Sequence, residues 1–175
     1  MQKKILMHIC CAPCFVAPFY RLRDDFDITG FWFNHNIHPV TEYRNRLECV
    51  KNFINQEKLE FICLDEYGLL SFMRKALLAE DNKCFNCYYD RLDKVASYAK
   101  SGDFDYFSTS LLYSKRQNHD LIKEIGFNIA NKHGVEFFYQ DFREYWQEGI
   151  DVSKAKGMYR QRYCGCIISE MERNL

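Results

Sequence analysis

The sequence carries no net charge, because 24 Lys and Arg residues balance 24 Asp and Glu residues. A global electrostatic attraction to nucleic acid is therefore excluded, and any RNA contact must come from a local patch. A hydrophobic run long enough for a bilayer is also missing. The best imitation is the uncharged stretch from Ile5 to Tyr20 behind Lys3 and Lys4, which looks like an export signal. His8, three cysteines and two prolines interrupt it, and it is shorter than the ~20 residues a span needs, so no membrane partner is expected. Internal repeats, low-complexity linkers and glycine-rich phosphate loops are absent as well. Without such a loop, no ATP requirement is expected. What remains is rich in core-forming residues: 47% of the 175 positions are apolar and 17% aromatic, which excludes a disordered chain. One α/β domain over residues 1–175 is predicted, with 143–175 as a tail packed on it.

Nine cysteines are present. The odd count, the mid-sized chain and the clustering of thiols in close pairs speak against a secreted disulfide framework, so a reducing, cytoplasmic compartment is expected. The first group, Cys10-Cys11-Ala12-Pro13-Cys14, ends a predicted strand and opens a predicted helix. Thiols at a helix N-terminus are biased toward thiolate, the form that binds metal or reacts. The second group, Cys84-Phe85-Asn86-Cys87, heads an amphipathic run through Leu92, Val95, Ala96 and Ala99. Cysteines three apart in one helical turn share a face. Cys11, Cys14, Cys84 and Cys87 supply the four thiolates that zinc and iron-sulfur sites both use, and Cys10 is a fifth.

Along the chain, strands are predicted over Lys4–Ile9, Asp27–Phe33, Leu59–Leu64, Phe104–Phe107 and Val135–Tyr139. Helices are predicted after Pro13, with Pro18 delaying the start, after a Thr41 cap, over Leu69–Leu78, after Cys84, and from Asn118 to a stop at Gly134. Cys49 and Cys63 read as small core residues. Alternating strands and helices imply a mostly parallel sheet of about five strands covered on both faces, a three-layer α/β domain with a helical tail. Ligands of such sheets bind beyond the carboxyl ends of the strands. That edge collects Cys10 to Cys14, Asn34 and Asn36, Ser108 to Ser110, Asp141 and Arg143. Ser108 and Ser110 read either as phosphate ligands or as turn residues. The tail brings Lys154, Lys156, Arg160 and Arg162 together with Tyr159 and Tyr163, the local basic and aromatic patch that can hold phosphate and stack a base.

Four segments, Met7-His8-Ile9-Cys10-Cys11-Ala12-Pro13-Cys14, Cys84-Phe85-Asn86-Cys87-Tyr88-Tyr89-Asp90-Arg91-Leu92, Phe107-Ser108-Thr109-Ser110-Leu111-Leu112 and Tyr159-Arg160-Gln161-Arg162-Tyr163-Cys164-Gly165-Cys166, resemble the cobalamin-independent epoxyqueuosine reductases, in order and nearly end to end. The resemblance implies an oxidoreductase of tRNA processing and queuosine biosynthesis. It would reduce the epoxide of epoxyqueuosine at the wobble position of a tRNA anticodon, with a fold similar to nucleotide-binding domains of the ATP pyrophosphatase (PP-loop, HUP) kind. It also implies a 4Fe-4S cluster with a second iron beside it. The matching positions are Cys10, Cys11, Cys84 and Cys87, with Cys14 where some members have an aspartate. Two departures stand out: Ser114-Lys115-Arg116-Gln117 in place of Ser-Pro-Tyr-Gln, and Asn34-His35-Asn36 in place of Asn-Pro-Asn.

On this reading the five thiolates are divided between a cluster and an adjacent iron. Lys115, Arg116, Arg160 and Arg162 would meet the RNA. Cys164 and Cys166, two apart, would form a strained, reducible disulfide that relays electrons from an unidentified donor. Asp141 is the candidate proton donor, and His8 reads more readily as a satisfied core histidine than as a functional one. The competing reading is a non-catalytic, zinc-stabilised RNA-binding module built on Cys11, Cys14, Cys84 and Cys87, in which Cys10 has no task.

Overall fold

The computed structural model describes residues 2–79 and 83–175. Five parallel strands form one sheet in the order β3-β2-β1-β4-β5: β1 (Lys3–His8), β2 (Phe26–Trp32), β3 (Glu60–Cys63), β4 (Tyr106–Thr109) and β5 (Glu136–Phe137). The central strand is buried on both sides, which explains its uninterrupted apolar run. Helices α1 (Ala12–Leu22), α2 (Val40–Glu57) and α6 (Trp146–Ala155) pack together over one face. Helices α4 (Lys83–Ser101) and α5 (His119–His133) cover the other, with α3 (Leu69–Leu78) against α4. The predicted three-layer α/β architecture is thus the one observed. Helix α7 (Ile167–Asn174) ends the tail. No helix among the described residues is long and apolar enough to cross a membrane.

Several boundaries differ from expectation, each for a local reason. Strand β4 is shifted to Tyr106–Thr109 because the Phe104 N–H closes α4 on the Ala99 carbonyl, and the ladder with β1 begins only at Ile5↔Tyr106. Helix α2 starts at Val40 because the Tyr43 N–H bonds to the Pro39 carbonyl at 3.1 Å, which puts Thr41 inside the first turn rather than at the cap. Pro18 does not delay α1, which begins at Ala12 and carries the proline in its interior. Its ring nitrogen has no hydrogen for the Cys14 carbonyl one turn back. Helix α5 does begin on an Asn118 cap and stops at Gly134, whose φ of 65° suits a residue without a side chain. Cys49 and Cys63 are partly buried against the main core, and burial raises both pKa values.

The chain runs β1 to β2 to β3 on one side and then crosses to β4 on the other. The carboxyl ends of β1 and β4 therefore flank the point where the strand order reverses, the crevice in which ligands of such sheets bind. Asn34 fastens this edge, donating to the Ile9 carbonyl at 2.8 Å. His8 is wholly buried, with Nδ1 2.9 Å from Thr109 Oγ1 and Nε2 3.2 Å from Asn34 Oδ1. Burial, and then the nearby Arg91 charge, push its pKa down to about 3, so the imidazole is neutral: a satisfied core histidine, as the sequence suggested.

Candidate metal centre and substrate cavity

Where β1 ends, Cys10, Cys11 and Cys14 point their sulfurs at one another, all within 4.8 Å and all buried. Cys11 is the N-cap of α1 in an extended conformation, so the two sulfurs that follow Cys10 lie at a helix N-terminus where negative charge is favoured. Ser110, from the end of β4, locks Cys10 from two directions. Its hydroxyl accepts the Cys10 N–H at 3.0 Å and donates to the Cys10 sulfur at 3.2 Å. Hydrogen bonds from Cys11, Cys14 and Ser110 hold Cys10 well below the ordinary thiol range despite burial, while Cys11 and Cys14 are pushed up. The triad thus carries its first negative charge on Cys10, and three buried sulfurs in this arrangement can hold a metal.

The surroundings fit an anionic metal-thiolate group. Arg91 is only 2% exposed, and among the described residues no carboxylate lies within 4 Å of it. Its Nη2 is 3.1 Å from the Cys87 sulfur and its Nε donates to the Cys87 carbonyl at 3.0 Å. A buried guanidinium facing only neutral thiols would be strongly unfavourable, whereas bound thiolates supply the missing charge. The spacing Cys87 to Arg91, one helical turn, is the sequence signal for this contact.

Cys84 and Cys87 do not join the tight triad. Cys87 is buried with Phe72, Ala76 and Cys166, and burial lifts its pKa to about 12, whereas Cys84 is exposed. Cys164 and Cys166 lie close enough to raise both of them further. The expected disulfide between Cys164 and Cys166 is not formed: both are free thiols, and the Cys166 sulfur is engaged as the cap of α7, accepting the Ser169 N–H at 3.3 Å.

The segment carrying these two cysteines is strapped down from α2. Arg46, 2% exposed, is held by Glu42 through its Nε at 2.6 Å and donates to the carbonyls of Cys164 at 3.0 Å and Tyr163 at 3.1 Å. Gly165 adopts a φ of 141° directly over the guanidinium, where an added Cβ would come 3.2 Å from Nη1. His38 completes the strap: its N–H donates to the Gly165 carbonyl at 2.7 Å, and its Nδ1 accepts the Ile167 N–H at 3.3 Å. Burial lowers the His38 pKa to about 4. Because the unfolded value is ~6.5, the unfolded chain binds the extra proton first, so stability present above pH ~6.5 is lost as pH falls toward 4. Protonation also sets Nδ1–H against the Ile167 N–H. The loss is expected to total ~3 kcal/mol, read as a falling unfolding midpoint between pH 6.5 and 4 that flattens in His38→Gln.

A cavity of about 420 Å³ opens beside the triad, with Cys10 and Cys14 on its floor. Arg116, Arg160 and Arg162 line it, and Lys115 lies near the Trp146 ring, 5.9 Å from its centre. Two expectations need correction. Ser108 and Ser110 are fully buried, with Ser108 donating to the Phe138 carbonyl at 2.8 Å and Ser110 committed to Cys10, so neither meets an external phosphate. Asp141 caps a 3₁₀ turn (Phe142–Tyr145) and forms a two-pronged ion pair with Arg143, which holds its pKa down at about 2. An ionised carboxylate has no proton to donate, and Asp141 is not among the residues lining the cavity.

A family model described as "Epoxyqueuosine reductase QueH" matches residues 5–172. The chain is 34% identical to the protein of that name from Dehalococcoides mccartyi, over 99% of this chain and 96% of the relative. It is 36% identical to the one from Thermotoga maritima, over 97% and 91%, and 31% identical to the one from Staphylococcus epidermidis, over 99% and 79%. The chain belongs to the epoxyqueuosine reductase QueH family. In this QueH chain the residues to which sequence reading gave no role are Arg46, Gln161 and Trp146. Gln161 Nε2 donates to the sulfurs of Cys11 at 2.9 Å and Cys14 at 3.4 Å, leaving a buried Oε1 without a partner among the described residues. No local pattern announces such a residue, because its contact lies 150 positions away. The QueH departure at Asn34-His35-Asn36 also has a structural account: His35 stacks on Phe33 and pairs with Asp90 at 3.2 Å.

Proposed function

We infer that this chain reduces the epoxide of epoxyqueuosine in the anticodon of tRNA to give queuosine, and that the cavity above the cysteine triad receives the modified base. The observation that carries the reading is the buried triad at the floor of an arginine-lined cavity in a chain of the QueH family. Cys10, Cys11, Cys14, Cys84 and Cys87 would hold a 4Fe-4S cluster and an adjacent iron. When bound, such a group passes electrons singly and acts as a Lewis acid on the departing oxygen.

The overall change consumes two electrons and two protons, turning the epoxide into a carbon-carbon double bond and releasing the oxygen as water. Oxidation of Cys164 and Cys166 to a disulfide releases two electrons and two protons, which balances one turnover. An external thiol or protein reductant would then restore the pair. Ser110 keeps Cys10 oriented, and Gln161 steadies Cys11 and Cys14. Arg116, Arg160 and Arg162 would meet phosphates flanking the wobble base, which would reach the cavity from a single-stranded loop. The reaction and its substrate place the enzyme in the cytoplasm with tRNA as partner.

The test is metal content together with turnover. Anaerobically purified protein is expected to be brown, to contain iron and acid-labile sulfide, and to convert epoxyqueuosine in tRNA when a reductant is supplied. Colourless protein with one zinc per chain, inactive even after iron-sulfur reconstitution, would instead indicate a zinc-stabilised RNA-binding module.

A further inference from the structure

The chain has two tryptophans, and they are treated in opposite ways. Trp32 is wholly buried, and its Nε1 donates to Tyr43 Oη at 3.1 Å. Trp146 opens helix α6 at the wall of the cavity that contains Cys10 and Cys14, is only partly buried, and has no partner for its Nε1 among the described residues. One face of its ring rests on Tyr113, with centroids 5.2 Å apart and planes inclined by 23°. Tyr113 is itself 3% exposed and donates to the Trp146 carbonyl at 2.8 Å. The support is built tightly: Gly149, one turn along α6, has no side chain, and a Cβ there would fall 2.3 Å from Tyr113 Oη. The ammonium of Lys115, an exposed side chain, lies 5.9 Å from the centre of the Trp146 ring. A backed aromatic ring at a cavity wall, with an exposed cation near it and arginines beside it, has the make-up of a stacking platform for a base.

We propose that Trp146, braced by Tyr113, is the platform on which the modified base stacks, holding its cyclopentyl arm toward the triad while Lys115 moves off the ring to a flanking phosphate. The proposal rests on the reading of the cavity as the substrate site. It makes Trp146 a specificity-determining residue that acts on binding, not on the removal of oxygen.

The experiment uses metal-loaded protein and an anticodon stem-loop RNA carrying epoxyqueuosine. Adding RNA is expected to quench the emission of Trp146 in the wild type, since Trp32 is shielded, and to leave Trp146→Phe with no RNA-dependent change. Trp146→Ala is expected to raise KM ~10-fold or more with kcat nearly unchanged, and Trp146→Phe, which retains a ring, to restore most of the loss. Absence of quenching while fluorescence anisotropy reports bound RNA, or an unchanged KM in Trp146→Ala, overturns the platform and leaves the reductase reading intact. Binding with quenching but no reduction by the wild type keeps the platform and removes the reductase reading, and RNA that does not bind at all removes both.

Discussion

Replacing Cys10 with serine is expected to strip the protein of iron and to lower turnover by more than ~100-fold, while the fold survives. Loss of a group that merely orients a metal ligand typically costs 10- to 100-fold, and a ligand itself should cost more. Cys10 is the member of the triad whose pKa its neighbours hold well below the ordinary thiol range, through hydrogen bonds with Cys11, Cys14 and the Ser110 hydroxyl. Serine is nearly isosteric and stays beside the same Ser110 hydroxyl, so the thermal midpoint should move little. Iron and sulfide analysis with visible absorption reads the effect directly. A closed four-cysteine zinc site would spare this variant, so full retention of iron and activity would show that Cys10 is not a ligand. Ser110→Ala, which removes only the hydrogen bonds to Cys10, is expected to fall in the milder 10- to 100-fold range.

The largest effect on stability is expected at Arg46. Glu42 is 6% exposed and depends on this guanidinium, although Tyr159 also donates to its second oxygen. Arg46→Met leaves a buried carboxylate without its cation and two carbonyls, of Tyr163 and Cys164, without their donor. Breaking one half of a buried pair costs ~3–5 kcal/mol, a large share of the total stability of a domain this size. Urea unfolding should show a lowered midpoint with a nearly constant slope. Removing both charges in Glu42→Leu/Arg46→Met is expected to recover much of the loss, because no unpaired charge then remains inside. Both variants should nonetheless release the 163–166 segment, so alkylation of Cys164 and Cys166 is expected to accelerate in the double variant even where its stability is regained.

The layers and the working edge of the sheet were legible in the sequence because they rest on local patterns. Apolar runs marked β1 and β2, the Cys-x-x-Cys spacing marked two helix starts, and Asn118 and Gly134 marked the ends of α5. The shift of β4 was not legible, since its register is set by a partner strand about a hundred residues earlier. The same limit applies at the site. Cys10, Cys11 and Cys14 are neighbours in sequence and were found together, but Arg46, Gln161 and Trp146 reach the cavity from three separate elements, and their contacts depend on the assembled fold. Asp141 illustrates the converse: its position after β5 was correctly foreseen, but a neighbour two residues away, Arg143, decided its ionisation.

The contact between Gln161 and the sulfurs of Cys11 and Cys14 has a consequence for biosynthesis. Synthesis proceeds at ~5–20 residues per second, so roughly 8–30 s separate the appearance of the triad from that of the segment that covers it. Throughout that interval the thiols at the end of β1 lack their lid, and the strap from Arg46 and His38 has nothing to hold. The nascent chain therefore presents the three thiols of the triad to the cell before the cavity beside them is finished.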